Sequence, residues 1–470
     1  MRFWNSYINT IGIVLEAKGA WWVLSWFYCL RLNTIPKTFE RNMDEGHALY
    51  NNNNNKIHIR EYKEERDIEA VEKLEEICET VESSSKGRNT PIITNMMGDP
   101  LFRIRSYKYH VLLIAELVEN GELVGVIRGC IKYLRSGVDQ GTNSTVKMGC
   151  ILGLRVSPKH RRNGIGLKLV KCTEHWAMQN GAHYTCMAAE EDNIASTNLF
   201  VHRCNYVKLS PLIIFTQPIH SLPKERSSSK INIQKLSIEQ AISLYKNQFG
   251  SKQFFPVDID AILKQKPSIG TWVSFFKDEN WIGLNSKDKN SNCHDEFIEK
   301  APGSWAMISI WNKTSDVYKL KIAKREASFV HCFNGSSRPS TLARGGKTFH
   351  CFTKSIFSLL RRKPSGFIFA YGLHGEGKRV GELMQSLWWF AHNVGKNVKD
   401  CKLIITELGV DDPLREHLPQ GPSMSFTNDI WYLKKVNGST SEEDASGGDE
   451  MESLVNKKPL ANLFVDPRDF

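Results

Sequence analysis

The stretch over residues 147–206 constrains the fold more than any other part of the chain. Residues 150–156 are apolar and include β-branched side chains, which predicts a buried strand. A glycine-containing turn follows and reaches Gly166, and a second strand is predicted over residues 183–188. A helix between them is indicated by apolar residues at helical spacing: Ile165, Leu169, Cys172 and Trp176. The order is therefore strand, glycine turn, helix, strand.

The turn before this helix has the composition of an anion-binding site. Gly164 and Gly166 let the backbone approach an anion without a Cβ clash. The helix N-terminus adds free N–H groups and positive potential, which together favour a phosphate or pyrophosphate. A dinucleotide fingerprint would need a third glycine where Leu169 stands, so a dinucleotide site is disfavoured. Three cations stand nearby: Arg161, Arg162 and Lys168.

Two parts of the chain begin alike, which predicts a duplicated α/β unit. Residues 56–60 and 230–234 both alternate as strands do, and a helical pattern follows each of them. Each part also has a later glycine signature. These are Arg161-x-x-Gly164-x-Gly166 and Gly372-x-x-Gly375-x-Gly377.

Polar stretches and composition shifts set the predicted boundaries. Residues 438–453 are acidic, rich in Gly and Ser, and unable to bury enough surface to fold alone, whereas residues 463–470 regain apolar character and could dock against another part of the chain. The predicted parts are an N-terminal extension with an Asn-rich linker (1–56), a first domain (57–217), a linker (218–229), a second domain (230–436) and an acidic disordered tail (437–470).

The N-terminal extension allows two interpretations. Its clean apolar run, residues 20–30, is shorter than the roughly 20 residues that span a bilayer. It is therefore either a signal anchor or a poorly specified extension, and we expect no membrane partner unless residues 1–42 act as an anchor.

Charge and cysteine usage exclude several classes of protein. The chain has 62 Lys+Arg against 51 Asp+Glu, a net charge of +11, but no run of five basic residues. A dedicated nucleic-acid arm is therefore disfavoured, and direct nucleic-acid binding is the weakest of our hypotheses. The 11 Cys form no C-x-x-C pair, so we expect reduced thiols, no metal site, and a nuclear or cytoplasmic location.

The turn and the segment after the second strand carry a resemblance. Arg161-Arg-Asn-Gly-Ile-Gly166 resembles the Arg/Gln-x-x-Gly-x-Gly/Ala signature of the GNAT superfamily of N-acetyltransferases. The motif over residues 193–200, NIASTNLF, resembles the later motif of that family. Within that family, the chain is similar to the plant hookless-type probable N-acetyltransferases. Several blocks carry this similarity, in particular GLRVSPKHRRNGIGLKLV, GDPLFRIR, VIRGCIK and FVDPRDF.

The resemblance implies an α/β GNAT fold, a mixed central sheet flanked by helices, followed by a second, degenerate GNAT-like domain. It implies acetyl-CoA as co-substrate. The backbone amides of residues 162–167 would hold the pyrophosphate, and the pantetheine arm would lie against Leu154 and Val156. Asn193 would lie near the thiol end or cap the next helix. The full implied set is Leu154, Val156, Arg161, Arg162, Asn163, Gly164, Ile165, Gly166, Leu167, Asn193 and Ser196.

The catalytic pattern of the family is incomplete in this chain. Phe200 stands where the family commonly has a tyrosine acid, for which Tyr206 or Tyr184 are substitutes. The coenzyme A thiolate can also leave without a general acid from the enzyme, because a thiol pKa of about 8.5 makes it a fair leaving group. Three carboxylates are candidates for the base, and each is otherwise a solvated side chain or a cap: Glu116, Glu190 and Asp192.

The glycines of the second part allow two interpretations. Gly372, Gly377 and Lys378 approach a P-loop, but Arg379 stands where Ser or Thr should bind magnesium. A decayed GNAT-like turn is therefore favoured over a nucleotide-hydrolysing loop.

The sequence thus predicts an enzyme that moves acetyl from acetyl-CoA to an amine. By resemblance the acceptor is a protein lysine, with histone as one candidate, and the role is regulatory. The alternative is a catalytically weak or inactive pseudo-acetyltransferase that acts as a regulatory binding module.

Overall fold

A computed structural model describes the chain over residues 56–85, 92–96, 99–135, 145–219, 229–249, 252–282, 284, 296–313, 318–322, 366–418, 424–436 and 463–469. The chain divides into two units, residues 1–56 and 57–470, and only the second is described below. The predicted anchor or extension, the Asn-rich linker and the acidic run of residues 438–453 lie outside the described residues. In the described ranges no helix is both long and apolar enough to cross a bilayer.

The described residues of the first half form seven strands and four α-helices. They are β1 (Ile57–Glu61), α1 (Glu64–Ser85), β2 (Ile92–Met96), α2 (Phe102–Arg105), β3 (His110–Leu117), β4 (Leu123–Arg135), β5 (Thr145–Val156), α3 (Ile165–Gln179), β6 (Tyr184–Glu190), α4 (Ile194–Thr197) and β7 (Val207–Pro218). A 3-10 turn (Pro158–His160) precedes α3, and a π-helix (Asn198–Arg203) extends α4.

The described residues of the second half form β8 (Ile231–Lys235), α5 (Ile238–Gln248), β9 (Phe255–Pro256), α6 (Ile259–Lys264), β10 (Ser268–Phe276), α7 (Glu296–Glu299), β11 (Trp305–Lys313), β12 (Tyr318–Ile322), β13 (Gly366–Glu376), α8 (Val380–Asn397), β14 (Cys401–Gly409) and β15 (Ser425–Lys435). A 3-10 turn (Pro413–His417) lies between the last two strands.

One central sheet runs through both halves. Its strand order is β1-β3-β4-β5-β6-β15-β7-β14-β13-β11-β10-β8, with β9 added to β4, while β2 and β12 pair separately. Among the strands that the structure describes, each half has one parallel pair, β5 with β6 and β13 with β14, and the other strand pairs are antiparallel. The predicted mixed sheet is therefore confirmed.

The last strands of the two halves change places. β15 pairs with β6 of the first half and with β7, while β7 pairs with β14 of the second half. Each half thus completes the sheet of the other, and the domain boundaries predicted at 217 and 230 do not separate two independent sheets. The boundaries themselves stay a prediction.

Helices cover both faces of the sheet. α3 packs where β4 has no side chains, since an ideal Cβ on Gly125 or Gly129 would come within 2.8 Å of Leu169 or Thr173 of the helix. The opposite face carries Cys130, Met148 and Cys186 and belongs to a large core shared with α1 and with α5 and α6. This second face is called the α1 face below.

The end of the chain lies within the core of the α1 face. The Phe464 ring lies 5.3 to 6.5 Å from the rings of Tyr245, Phe249, Phe255 and Tyr371. Arg468 pairs with Asp466 at 2.7 Å and with Asp258 at 2.6 Å. The prediction of a disordered tail over 437–470 is therefore wrong for residues 463–469, because their apolar side chains are buried and their charges are paired.

The glycine signature of the second half forms no open turn. Gly372 and Gly375 lie inside β13, and only Gly377 stands between that strand and α8. The backbone of Gly303 closes this turn, since an ideal Cβ on Gly377 would lie 2.1 Å from its carbonyl oxygen. A P-loop reading is excluded, because residues 372–376 are strand rather than a loop around a phosphate.

Candidate functional site

A gap opens between β5 and β6 beyond the last paired residues. The two strands pair in parallel from Met148 with Tyr184 to Ile151 with Met187. Both continue, to Val156 and to Glu190, while their outer edges stay paired with β4 and β15. The backbone groups of residues 152–156 and 188–190 therefore face each other across an opening, here called the notch. Backbone N–H and C=O groups need partners, so an extended arm with amides would fit there.

The N-terminus of α3 lies at the mouth of the notch. Gly164 is the N-cap, with φ of +78°, a left-handed conformation that glycine adopts without strain. The first helical hydrogen bond runs from the N–H of Lys168 to the carbonyl of Gly164, at 3.0 Å. The preceding N–H groups have no acceptor within the helix and point outward. The sequence prediction of where this helix begins is confirmed.

Gly166 links the helix end to the notch. An ideal Cβ on this residue would lie 3.6 Å from Val156, 3.8 Å from Leu154 and 3.5 Å from Leu199. A side chain there would therefore fill the space between the end of β5 and the π-helix. Residues 161–164 are exposed, so the guanidinium groups of Arg161 and Arg162 can reach an anion at the helix end.

The opposite wall of the notch begins where β6 ends. Asn193 is the N-cap of α4, and its side-chain oxygen accepts a hydrogen bond from the N–H of Ser196 at 3.1 Å. The N–H of Asn193 donates to the carbonyl of Glu190 at 2.9 Å. The cap role considered for Asn193 is thus present, and it fixes the exit of β6. All the residues implied as donor-binding lie on the two walls or at the end of α3.

The three candidate bases lie in different settings. Glu116 is on β3, two strands from the notch, and accepts hydrogen bonds from Arg60 at 2.8 and 3.0 Å and from Arg66 at 3.2 Å. Its oxygens are therefore engaged by two guanidinium groups, away from the notch. Glu190 and Asp192 are exposed at the end of β6, beside the notch. Of the three candidate bases, the structure therefore places Glu190 and Asp192 together beside the notch and Glu116 away from it.

Neither of the two tyrosines considered as substitutes takes the place of Phe200. The Phe200 ring is buried and stacks edge-on against Tyr206 at 5.1 Å. The Tyr206 hydroxyl bonds to Thr185 at 2.8 Å, and burial raises its pKa well above the usual value. Thr185 and Tyr184 begin β6, at the end away from the notch. Neither substitute acid is therefore placed to reach a leaving thiolate.

Sequence reasoning missed the residues that β15 brings to this place. Asp429 and Tyr432 stand opposite Glu190 and Met187 in the sheet. The Tyr432 hydroxyl bonds to Thr197 of α4 at 2.9 Å. These residues lie beside β6 because the two halves exchange their last strands. The pattern of residues 425–435 predicts a strand but does not indicate which strand it pairs with.

No group of three or more His, Cys, Asp or Glu side chains suited to a metal ion is found in the described ranges. The notch and the helix end thus offer backbone groups and cations, which suit a phosphate-bearing ligand with an amide-containing arm.

Comparison with known proteins gives the family. Residues 71–206 match the "Acetyltransferase (GNAT) family". Two Arabidopsis thaliana proteins, "Probable N-acetyltransferase HLS1-like" and "Probable N-acetyltransferase HLS1", are each 35% identical to this chain, across 88% of it and 99% of their own length. "Acetyl transferase GW6a" of Oryza sativa subsp. japonica is 29% identical, across 88% of this chain and 97% of its own. The match includes both halves, and the chain belongs to the GNAT acetyltransferase family, in the group of N-acetyltransferases that includes HLS1.

Proposed function

We propose that this protein transfers acetyl from acetyl-CoA to a primary amine, and that the acceptor is a protein lysine. The observation that carries the proposal is the notch opening beside the free end of α3. The helix end and the exposed Arg161 and Arg162 suit a pyrophosphate. The facing strand edges suit the two amides of a pantetheine arm. A thioester in the notch would supply an activated acetyl group.

The residues of the chain have separate tasks in this reaction. The amides of residues 162–167 and the two arginines bind the donor at its phosphates. Leu154 and Val156 hold the arm at the β5 edge, and Asn193 and Ser196 border its far end. Free backbone N–H groups at the notch can polarise the thioester carbonyl. The thiolate leaves without a dedicated acid, which agrees with the burial of Phe200 and Tyr206.

The rim of the notch supports a cationic acceptor. Three consecutive acidic residues at the end of β6 are exposed: Glu190, Glu191 and Asp192. A cluster of negative charge raises the local concentration of a lysine ammonium group. A histone tail is one such acceptor, which would give the protein a regulatory role in the nucleus; a cytoplasmic protein lysine is the other case.

The alternative is a pseudo-acetyltransferase that keeps the donor site and acts as a regulatory binding module. The observation that favours it is Phe200, which is buried where the family commonly has a tyrosine. Only turnover separates the two proposals.

The test uses the full chain, acetyl-CoA and lysine peptides, with release of the CoA thiol as readout. One peptide comes from a histone tail, and the other is an unrelated sequence of equal charge. We expect thiol release that depends on peptide and a peptide mass that rises by one acetyl group. Equal rates on both peptides would leave histone without support. Acetyl-CoA binding with no turnover on either peptide, or on polylysine, would favour the binding module.

A further inference from the structure

β15, a strand of the second half, lies beside β6 on the side away from the notch. β15 pairs with β6, so that Trp431 stands opposite Ala188 and Asp429 opposite Glu190. Side chains alternate along a strand, and Trp431 and Leu433 belong to the same core as Cys186. Asp429, Trp431 and Glu190 therefore all face the α1 side of the sheet. Adjacent strands lie about 4.8 Å apart, so Asp429 is one strand spacing beyond the notch wall.

A second carboxyl group lies on the same face. Glu407 of β14 and Thr427 of β15 both stand opposite Ile214 of β7, so Glu407 and Asp429 are diagonal neighbours across that strand. Glu407 is only 6% exposed, and its Oε1 atom has no hydrogen-bond partner among the described residues. A buried carboxyl oxygen without a partner is costly unless something binds it.

Two further observations point to a ligand or a proton path at this place. Trp431 is 91% buried, and its indole N–H lies close enough to the Glu407 carboxyl to lower the pKa of that group, although no described residue completes a hydrogen bond of normal geometry with it. A cavity of about 20 Å³ adjoins Glu407, with Lys252 and Asp412 also in its lining. That volume holds about one water molecule. The carboxyl pair therefore lies between a water-sized space and the notch.

The electrostatics suit a group that exchanges a proton near neutrality. Burial first, and then the charge of Glu190, raise the pKa of Asp429 to about 7, against weaker opposing effects of the Ile430 backbone N–H and of Arg103. Burial and the charge of Asp429 raise the pKa of Glu407 well above its usual value, with Asp469 adding to the rise and Trp431 opposing it. At neutral pH Asp429 is thus about half ionised, and the raised pKa of Glu407 favours the protonated form of that carboxyl.

We propose that Asp429 is the general base of acetyl transfer, and that Glu190 and Glu407 are positioning residues that adjust it. The proposal deepens the proposed function and rests on it. An ionised Asp429 takes one proton from the lysine ammonium group. The freed lone pair forms the C–N bond to the thioester carbon, and the electrons of the C–S bond leave on sulfur. The nitrogen then loses its second proton, which neutralises the thiolate, and Asp429 returns its proton to water.

The test compares Asp429→Asn and Glu190→Gln with the matched control Asp411→Asn, which changes an exposed aspartate in the turn after β14. Each full chain is assayed with acetyl-CoA and polylysine from about pH 5 to 9, and its melting temperature is measured with and without acetyl-CoA. We expect Asp429→Asn to lower kcat/KM by about 100-fold or more while keeping the melting shift. Glu190→Gln should move the acidic limb of the pH profile to lower pH, because a negative neighbour is lost. Asp411→Asn should change neither readout.

An acceptor-independent measurement accompanies the kinetics. The infrared carboxyl band that disappears in Asp429→Asn should titrate near pH 7 in the unsubstituted protein. Titration below about pH 5, in the range of an ordinary aspartate, would overturn the proposal. So would an Asp429→Asn variant that retains kcat/KM within about twofold. Absence of any melting shift in the unsubstituted protein would instead contradict the donor site, and the two failures are thereby distinguished.

Discussion

Replacing Gly164 with Glu will abolish acetyl-CoA binding in a protein that still folds. No atom outside the neighbouring residues lies within 4 Å of an ideal Cβ at this position, so the new side chain extends into solvent at the end of α3. Its carboxylate would occupy the place proposed for the pyrophosphate and repel it. The left-handed backbone costs a non-glycine residue of the order of 1–3 kcal/mol, which a protein of this size can bear. Titration calorimetry with acetyl-CoA measures the loss.

The matched control lies at the other end of the same helix. Gly181 has φ of +80°, against +78° for Gly164, and is also exposed. Gly181→Glu thus introduces the same charge and the same backbone strain about 25 Å away, at 1.5 Å per residue. It should bind acetyl-CoA like the unsubstituted protein. If both variants lose binding, or neither does, the donor site is not at the N-terminus of α3.

Replacing Arg468 with Met will destabilise the protein by about 3–5 kcal/mol at neutral pH. The guanidinium group is 3% exposed, pairs with Asp466 and Asp258, and stacks on the Tyr107 ring at 4.5 Å. Asp466 is also buried, and the charge of Arg468 helps to hold its pKa well below the usual range. Among the described residues, removal of the guanidinium leaves the buried Asp466 carboxylate with Lys132 at 3.6 Å and the backbone N–H of residue 468 at 2.9 Å as partners.

The pH dependence identifies this mechanism. A carboxyl whose pKa is lower in the folded state stabilises the protein above its unfolded pKa of about 3.9, and this contribution is lost as pH falls. The difference between Arg468→Met and the unsubstituted protein should therefore shrink at acid pH. Urea unfolding of both proteins at neutral and at acid pH measures this difference in the free energy of unfolding.

An exposed pair gives the control for this substitution. Arg105 pairs with Asp99 at 2.8 Å, but half of the Arg105 side chain is exposed. Arg105→Met should cost about 1 kcal/mol or less. Equal losses for the two arginines would show that the chain end is not held by buried charge.

The first half was predictable because its signals are contiguous. A strand over 150–156, a helix from Ile165 and a strand over 183–188 were expected, and β5, α3 and β6 are found there. Hydrophobic periodicity and glycine placement act over a few residues, which is the range that sequence patterns report.

The exchange of strands could not be predicted in the same way. Residues 425–435 have the pattern of a strand whichever strand lies beside them, and their partner β6 is more than 200 residues earlier. From the pattern alone, Asp429 would be predicted to face solvent, because the strands beside it are not known from the sequence. The apolar character of the chain end was visible in the sequence, but its place in the core was not, because a polar run separates residues 463–469 from the rest.

The most direct test of the donor site is the melting temperature of the full chain with and without acetyl-CoA. A ligand at 100 times its dissociation constant stabilises a protein by about 2.7 kcal/mol. We expect a clear rise in the melting temperature that disappears in Gly164→Glu and persists in Gly181→Glu. An unchanged melting temperature at millimolar acetyl-CoA would show that the donor does not bind.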